Sequence, residues 1–454
     1  MTGRAPAAGA ATVRALAVDL LVRVERDRAF AAPLLAAREG SLPPRDRPLL
    51  RSLVRSVLRN RALLDHVLAR SLSRPIDGLD AGVRAALRVG AAQLLLFDRI
   101  PPHAAVGETV EAVRATSPRA SGLVNAVLRK VASAGRPARV VLPAGAGLVE
   151  RLALETSHPA WLVARWVADL GADAAEAALR DDDADAPVDV LLDPRDGDVG
   201  ALRARLREEG LDGTPSPWAP LALTLSSSSA GSHPEIASGR LAVVDVAAQA
   251  MCELVAPADV VVDLAAAPGG KTRTLLARGI ARRVVALERN PTRSRRLAAA
   301  LRAAGRGDQA LVVRADSSRP PLPRGAFRSV LLDAPCSGTG TLRKNPEIRW
   351  RLAPGDLASL ARAQRALLHA ALDLCAPGGT AVYVTCSLEP EENEEVVGAV
   401  LAERGDASVS VPDRGSLPAP LAAARRPGGF FRVAPGPSND GFSATILRKD
   451  GGSR

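Results

Sequence analysis

From Asp259 to Ser387 the chain alternates short apolar runs with longer amphipathic ones. "DVVVDLA", "RRVVALE", "ALVVRAD", "RSVLLDAP" and "GTAVYVTCS" read as five strands, and "KTRTLLARG", "PTRSRRLAAALRAAG" and "GDLASLARAQRALLHAALDLC" as helices between them. Such alternation leaves few choices. Parallel strands need crossover connections, and helices then cover both faces of the sheet, which explains near-continuous apolar strands. A C-terminal α/β doubly wound (Rossmann-like) domain is expected, and ligands of that fold collect at the carboxyl ends of its strands. Asp263, Glu288, Asp316, Asp333 and Cys386 all stand at or just beyond such ends.

The first strand runs into "VVDLAAAPGGKT" (Val261–Thr272), a turn of small residues that opens a helix. Small side chains let a ligand approach the backbone, and helix N–H groups face it. Gly270-Lys271-Thr272 matches the tail of a phosphate-binding P-loop, but Ala265 stands where that loop needs its first glycine, and no G-x-G-x-x-G is present. Glu288, ending the second strand, is placed to meet ribose hydroxyls, and Asp316, ending the third, to meet an adenine amino group. Together they describe a pocket for an adenosine-type cofactor without a phosphate clamp. S-adenosylmethionine suits it better than a nucleoside triphosphate or a dinucleotide.

The reactive candidates come after strands four and five. "LLDAPCSGTGTLRKNPEIRW" carries Asp333, Cys336 and the basic residues Arg343, Lys344 and Arg349, while "VTCSLEPEEN" carries Cys386. The four cysteines (Cys252, Cys336, Cys375, Cys386) form no C-x-x-C pair and the five histidines are scattered, so no metal site or disulfide framework is expected. If strands four and five are neighbours, Cys336 and Cys386 face one pocket. Attack by sulfur requires a thiolate, which a helix N-terminus favours. A helix is expected to begin at Pro390, with Glu391, Glu392, Glu394 and Glu395 complementing its dipole. Turned toward Cys386, the same acids would oppose the thiolate.

At 454 residues the chain should hold about three domains. Val13 to about Ala134 has helical periodicity throughout, as in "LLRSLVRSVLRNRALLDHVLARSL", with arginines opposite the apolar stripe. Residues 1–140 hold 23 Lys+Arg against 11 Asp+Glu, a surplus of 12 beside a whole-chain charge of +11. A polyanion, most simply RNA, is the implied partner, although a composition dominated by alanine and arginine weakens that inference. Breaks at Gly135–Gly147 and Ser226–Gly239 bound a middle segment. It contains the helix "LVERLALETSHPAWLVARWVADLG" and a short βαβ-like piece. The expected division is 1–140, 145–240 and 241–450. No apolar run reaches the length of a membrane span, and a cytoplasmic protein is expected.

"DLAAAPGGKT", "LLDAPCSGTGTLRKNPEIRW" and "VYVTCSLEPEENEEVV" resemble the signature motifs of the RNA cytosine-C5 methyltransferases. The basic N-terminal segment resembles the NusB-like RNA-binding domain of the bacterial Sun/RsmB branch, and "SHPAWLVARW" and "DGFSATILRK" also resemble this family. The resemblance covers nearly the whole chain. It implies an all-α NusB-like bundle, a small α/β RNA-binding subdomain and a class I S-adenosylmethionine-dependent methyltransferase domain. The implied reaction is methylation of carbon 5 of one cytosine in 16S ribosomal RNA, free or in a small-subunit precursor, by a monomer with no DNA or membrane partner. Carried onto this chain, Ala265, Ala266, Ala267, Pro268, Gly269, Gly270 and Lys271 would bind the cofactor with Glu288, Asp316 and Asp333. Cys386 would be the nucleophile, Cys336 the thiol of product release and Asp333 the group that activates the base, with Arg343, Lys344 and Arg349 on the RNA. Two departures stand out: Ala265 replaces a customary cysteine and Val244 a customary glutamine. Competing readings are another RNA such as tRNA as substrate, Cys336 as attacker, an amino-group methyltransferase, and a non-catalytic RNA-binding assembly factor. Asp-Ala-Pro-Cys after strand four speaks against amino-group chemistry, which favours Asn/Asp-Pro-Pro-aromatic.

Overall fold

A computed structural model describes residues 12–135, 145–226 and 233–451, so the two expected breaks and the N-terminal stretch fall partly outside it. The chain forms two compact units, one made of Met1–Asp183 with Lys344–Leu352, the other of Ala184–Arg343 with Ala353–Arg454. This division differs from the three consecutive segments expected. The helices of the middle segment join the N-terminal bundle, and its strands join the C-terminal unit.

The first unit is helical. Val13–Arg26, Ala31–Arg38, Arg47–Arg59, Arg61–Ala69, Ala81–Leu96, Pro102–Arg114 and Ser121–Ala134 form the bundle, followed by Leu148–Glu155, Ala160–Leu170 and Ala172–Asp181. Their apolar stripes meet in a core of Leu50, Leu53, Leu64, Leu68, Leu87 and Leu128, all with no exposed surface. Each such leucine contributes about 2 kcal/mol by burial. Thr12 caps the first helix by accepting from Ala15 N at 3.2 Å, and Asp80 caps another by accepting from Gly82 N at 2.8 Å. The single helix expected from Leu148 is two, because Pro159 starts a new one and Ser157 takes a left-handed φ of +52°.

Nine residues from the C-terminal half complete this unit. Arg349 is buried, and its Nη1 donates to Asp183 Oδ1 at 2.8 Å and to the carbonyls of Arg59, Thr156 and Ser157 at 3.2–3.4 Å. Its Nη2 donates to Asp182 O at 3.0 Å, and Trp350 Nε1 donates to Leu58 O at 2.6 Å. Arg349 therefore gathers helix ends, which corrects the expectation that it reaches RNA: its guanidinium is consumed inside. Removing one partner of a buried charge leaves the others unpaired. Arg349→Ala should lower the stability of this unit by about 3–5 kcal/mol. Urea unfolding followed by tryptophan fluorescence checks this, since Trp161, Trp166 and Trp350 all lie in the unit.

The second unit holds two sheets. The smaller comprises β1 (Val188–Leu191), β2 (Gly213–Pro215), β3 (Ala222–Leu225) and β4 (Ala242–Val243), in the order β2-β3-β1-β4. The helix Val199–Glu208 connects β1 to β2. Neighbouring strands are all antiparallel, and because β1 and β2 each run antiparallel to the β3 between them they are parallel to each other, so the βαβ-like piece is a crossover split by β3. The larger sheet comprises β5 (Ala258–Leu264), β6 (Ala281–Leu287), β7 (Ala310–Val313), β8 (Phe327–Asp333), β9 (Cys375–Thr385), β10 (Ala407–Ser410), β11 (Phe430–Val433) and β12 (Phe442–Lys449). Its order is β10-β12-β9-β8-β5-β6-β7, with β11 also on β12. The five expected strands, β5 to β9, are parallel. Strand order reverses beside β5, the position at which doubly wound sheets open a crevice. β10, β11 and β12 add an antiparallel edge that the alternation did not announce. Among the described residues, no helix is long and apolar enough to cross a membrane.

Candidate active site

The segments leaving the carboxyl ends of β5, β6, β7, β8 and β9 line the crevice. After Leu264 the chain turns at Ala265, whose φ is +62°, and Ala266 N donates to Leu287 O at 2.8 Å. Gly269 has φ +109°, and a Cβ there would lie 2.7 Å from Leu297 Cδ1, so only glycine fits. The helix Gly270–Ala277 starts without a side-chain cap, which leaves its first N–H groups available to a ligand. Val244, the second departure, packs on Gly270, where a Cβ would sit 3.2 Å from Val244 Cγ2.

Asp263 lies fully buried beneath this turn. Its Oδ2 accepts from Thr272 Oγ1 at 2.5 Å while its Oδ1 has no partner among the described residues, and burial pushes its carboxyl up to about 7. Thr272 thus braces the strand end. Glu288 is buried just past β6. Its Oε1 accepts from Asn290 N at 2.7 Å, and Arg293 Nε lies 3.3 Å from Oε2. Asp316 is exposed, three residues beyond the end of β7, and accepts from Ser318 N at 2.9 Å and Ser318 Oγ at 2.8 Å. Those bonds hold its carboxyl below the usual range.

Lys271 turns away from its own loop. Its Nζ is 2.9 Å from Asp333 Oδ1 and 4.9 Å from the centre of the Phe442 ring. Burial would pull this ammonium down, but the charge and hydrogen bond of Asp333 outweigh it and raise it. Asp333 ends β8 and pairs in register with Val384 of β9. The two strands therefore deliver Cys336 and Cys386 side by side, with their sulfurs 3.3 Å apart and both partly exposed. The hydrogen bond with Cys386, then burial, then the charges of Cys386, Glu392 and Asp333 raise the Cys336 thiol well above its ordinary value. The other two cysteines are core residues. Cys252 is buried against Ala248 O, and Cys375, buried against Ala371 O, is pushed up to about 12.

The loop after Cys336 packs backbone to backbone on the "DGFS" segment. A Cβ on Gly340 would lie 2.2 Å from Gly441 O, Gly441 N donates to Gly340 O at 2.7 Å, and Gly340 N donates to Cys386 O at 2.9 Å. Arg343 closes this loop from within. It is buried and donates through Nη1 to the carbonyls of Gly436 and Pro437, both at 2.9 Å. As with Arg349, this corrects the RNA-contact expectation, while Lys344 remains half-buried.

The glutamates also need correction. Pro390–Glu392 is a 3₁₀ turn, the α-helix spans Glu394–Glu403, and Glu392 points inward with no exposed surface. Its Oε1 accepts from Ser337 N at 2.9 Å and Gln364 Nε2 at 2.8 Å, and its Oε2 from Ser387 Oγ at 2.5 Å and from Ser337 Oγ. Sequence reasoning missed Gln364 and the inward turn of Glu392. A signal for Gln364 existed: it is a buried amide on the same face as Leu357, Leu368 and Ala371 of the helix Pro354–Leu374.

A family model described as 16S rRNA methyltransferase RsmB/F matches residues 253–448, one for the NusB family matches 11–133, and one for a ferredoxin-like domain of RsmF/B-like methyltransferases matches 158–230. Ribosomal RNA small subunit methyltransferase B of Sodalis glossinidius is 33% identical over 92% of this chain and 96% of its own length. Its counterpart in Xylella fastidiosa (strain Temecula1) is 35% identical over 94% and 97%. The crystal structure of PH0851 shares the fold, with a TM-score of 0.79 at 23% identity, covering 99% of this chain and 100% of the other.

Proposed function

Since the chain belongs to the RsmB/F family of 16S rRNA methyltransferases, we propose that it methylates carbon 5 of one cytosine in 16S ribosomal RNA, using S-adenosylmethionine and a covalent bond from Cys386 to the base. The observation that carries this reading is the pair of sulfurs 3.3 Å apart beside the Lys271–Asp333 contact of 2.9 Å. Carbon-5 chemistry asks for a sulfur nucleophile and for acid–base help at release, and the two thiols can divide those roles. A methyltransferase acting on an amino group needs neither.

The residues present fit the cofactor. The close-approach turn Ala265–Gly270, the uncapped helix start and the buried Glu288 would hold it, with Asp316 at the rim. When bound, S-adenosylmethionine supplies an electrophilic methyl group on a sulfonium. Lys271 is assigned to the substrate side, because its ammonium is spent on Asp333.

Carbon 5 of cytosine is too weak a nucleophile unaided. The Cys386 thiolate adds to ring carbon 6, and the ring's electron pair moves toward nitrogen 3. There Asp333, provided it carries a proton during attack, donates a hydrogen bond, with the Lys271 ammonium stabilising the charge that develops. Carbon 5, now enamine-like, accepts the methyl group. A base then removes the carbon-5 proton, the Cys386–carbon 6 bond breaks, and the electron pair returns to sulfur. Cys336, within 3.3 Å of Cys386, is placed to assist this last stage. The base must leave its stack, so a loop or locally opened RNA is the substrate. We take the enzyme to act as a cytoplasmic monomer.

The test is methyl transfer from labelled cofactor to 16S rRNA from cells lacking the gene, followed by bisulfite mapping. One newly bisulfite-resistant cytosine in 16S rRNA is expected. Label confined to tRNA, or label without bisulfite resistance, would overturn the proposal.

A further inference from the structure

Glu392 takes no part in the chemistry above, yet it is the most fully engaged side chain near the thiols. Its four donors come from three separate segments. Ser337 is next to Cys336 in the loop after β8, Ser387 is next to Cys386 after β9, and Gln364 lies in the helix Pro354–Leu374. The two serine hydroxyls are 3.1 Å apart, and Gln364 Nε2 also donates to Pro335 O at 2.9 Å. A carboxylate with no exposed surface is tolerated only when donors replace its water. Here the donors are the residues adjacent to the two thiols, so satisfying the charge also fixes where the thiols stand.

We propose that Glu392 is a positioning residue for the thiol pair, clamping Ser337 and Ser387 so that Cys336 and Cys386 reach the same base. This rests on the covalent reading above, but the geometry can be read without any RNA. Phenylarsine oxide supplies that measurement. Its trivalent arsenic forms one As–S bond to each of two thiols, and its oxygen leaves with both thiol protons as water. Capture therefore demands two neighbouring sulfurs.

Wild-type protein should take up one equivalent and lose it in either Cys336→Ala or Cys386→Ala. In Glu392→Ala capture should weaken at least about tenfold, because the second As–S bond loses its high effective concentration, while each thiol still reacts with iodoacetamide. Glu392→Gln keeps the shape and can still accept from Ser337 N and Gln364, so it should recover most of the capture. Methyl transfer should show the same order, with kcat down about 100-fold in Glu392→Ala and the KM for S-adenosylmethionine unchanged, as a misplacement of about 1 Å produces. If Glu392→Ala fails to fold, Ser387→Ala, which removes one clamped hydroxyl, should show a smaller loss in the same direction. Wild-type capture that is absent, or unweakened capture in Glu392→Ala or its substitute Ser387→Ala, overturns the proposal. So does a loss in Glu392→Gln as large as in Glu392→Ala. Normal capture behaviour with no methyl transfer by wild-type protein would refute the proposed reaction and leave the positioning role standing.

Discussion

Cys386→Ala should abolish methyl transfer, by on the order of 10⁴-fold or more, because the covalent route has no substitute for its nucleophile. No RNA–protein adduct should form. Cys336→Ala should behave in the opposite way: attack and methylation proceed, release fails, and a methylated RNA–protein adduct survives denaturing electrophoresis. Turnover should then fall by about 10²–10³-fold, the range of a lost acid–base contribution. The contrast is one of role and not of reach, because the sulfurs stand 3.3 Å apart and both reach the base. An adduct accumulating in Cys386→Ala instead of Cys336→Ala would reverse the assignment.

Removing Lys271 should separate chemistry from cofactor binding. Its position in the turn suggests a cofactor contact, but its ammonium lies against Asp333 and over Phe442. Lys271→Ala should therefore lower kcat by about 10²–10³-fold, as loss of one preorganised charge in an active site does. The affinity for S-adenosylmethionine should stay within about threefold, the signature of an interaction made in the transition state alone. Asp333→Ala should have a kcat effect of similar size, and the double variant should lose little more, because the two act as a unit. Isothermal titration with the cofactor and single-turnover methylation measure the two quantities. A collapse in cofactor affinity with kcat intact would return Lys271 to the cofactor side.

Much of the fold was legible because its signals are local. The apolar runs of β5, β6, β7, β8 and β9 are continuous since helices cover both faces, and the helical stripes of residues 13–134 repeat at the period of a turn. The antiparallel edge was less legible. β10 and β11 are four residues each, and β12 carries six buried residues in a row, so no alternation marks it.

The site divides in the same way. Asp263, Glu288, Asp333 and Cys386 could be named because periodicity marks strand ends, and a parallel sheet brings those ends to one crevice. The roles of the polar side chains there were not local information. Arg349 and Asp183, 166 residues apart, look from sequence like two solvated charges. Ser337 and Glu392, 55 residues apart, look like a loop serine and an acid in the first turn of a helix. A buried polar group is retained only where distant partners satisfy it. The sequence by itself therefore determined the layers, the strand ends and the family. Only the tertiary structure decided that Lys271 faces Asp333, that Arg343 and Arg349 turn inward, and that one buried carboxylate accepts from the serines next to both thiols.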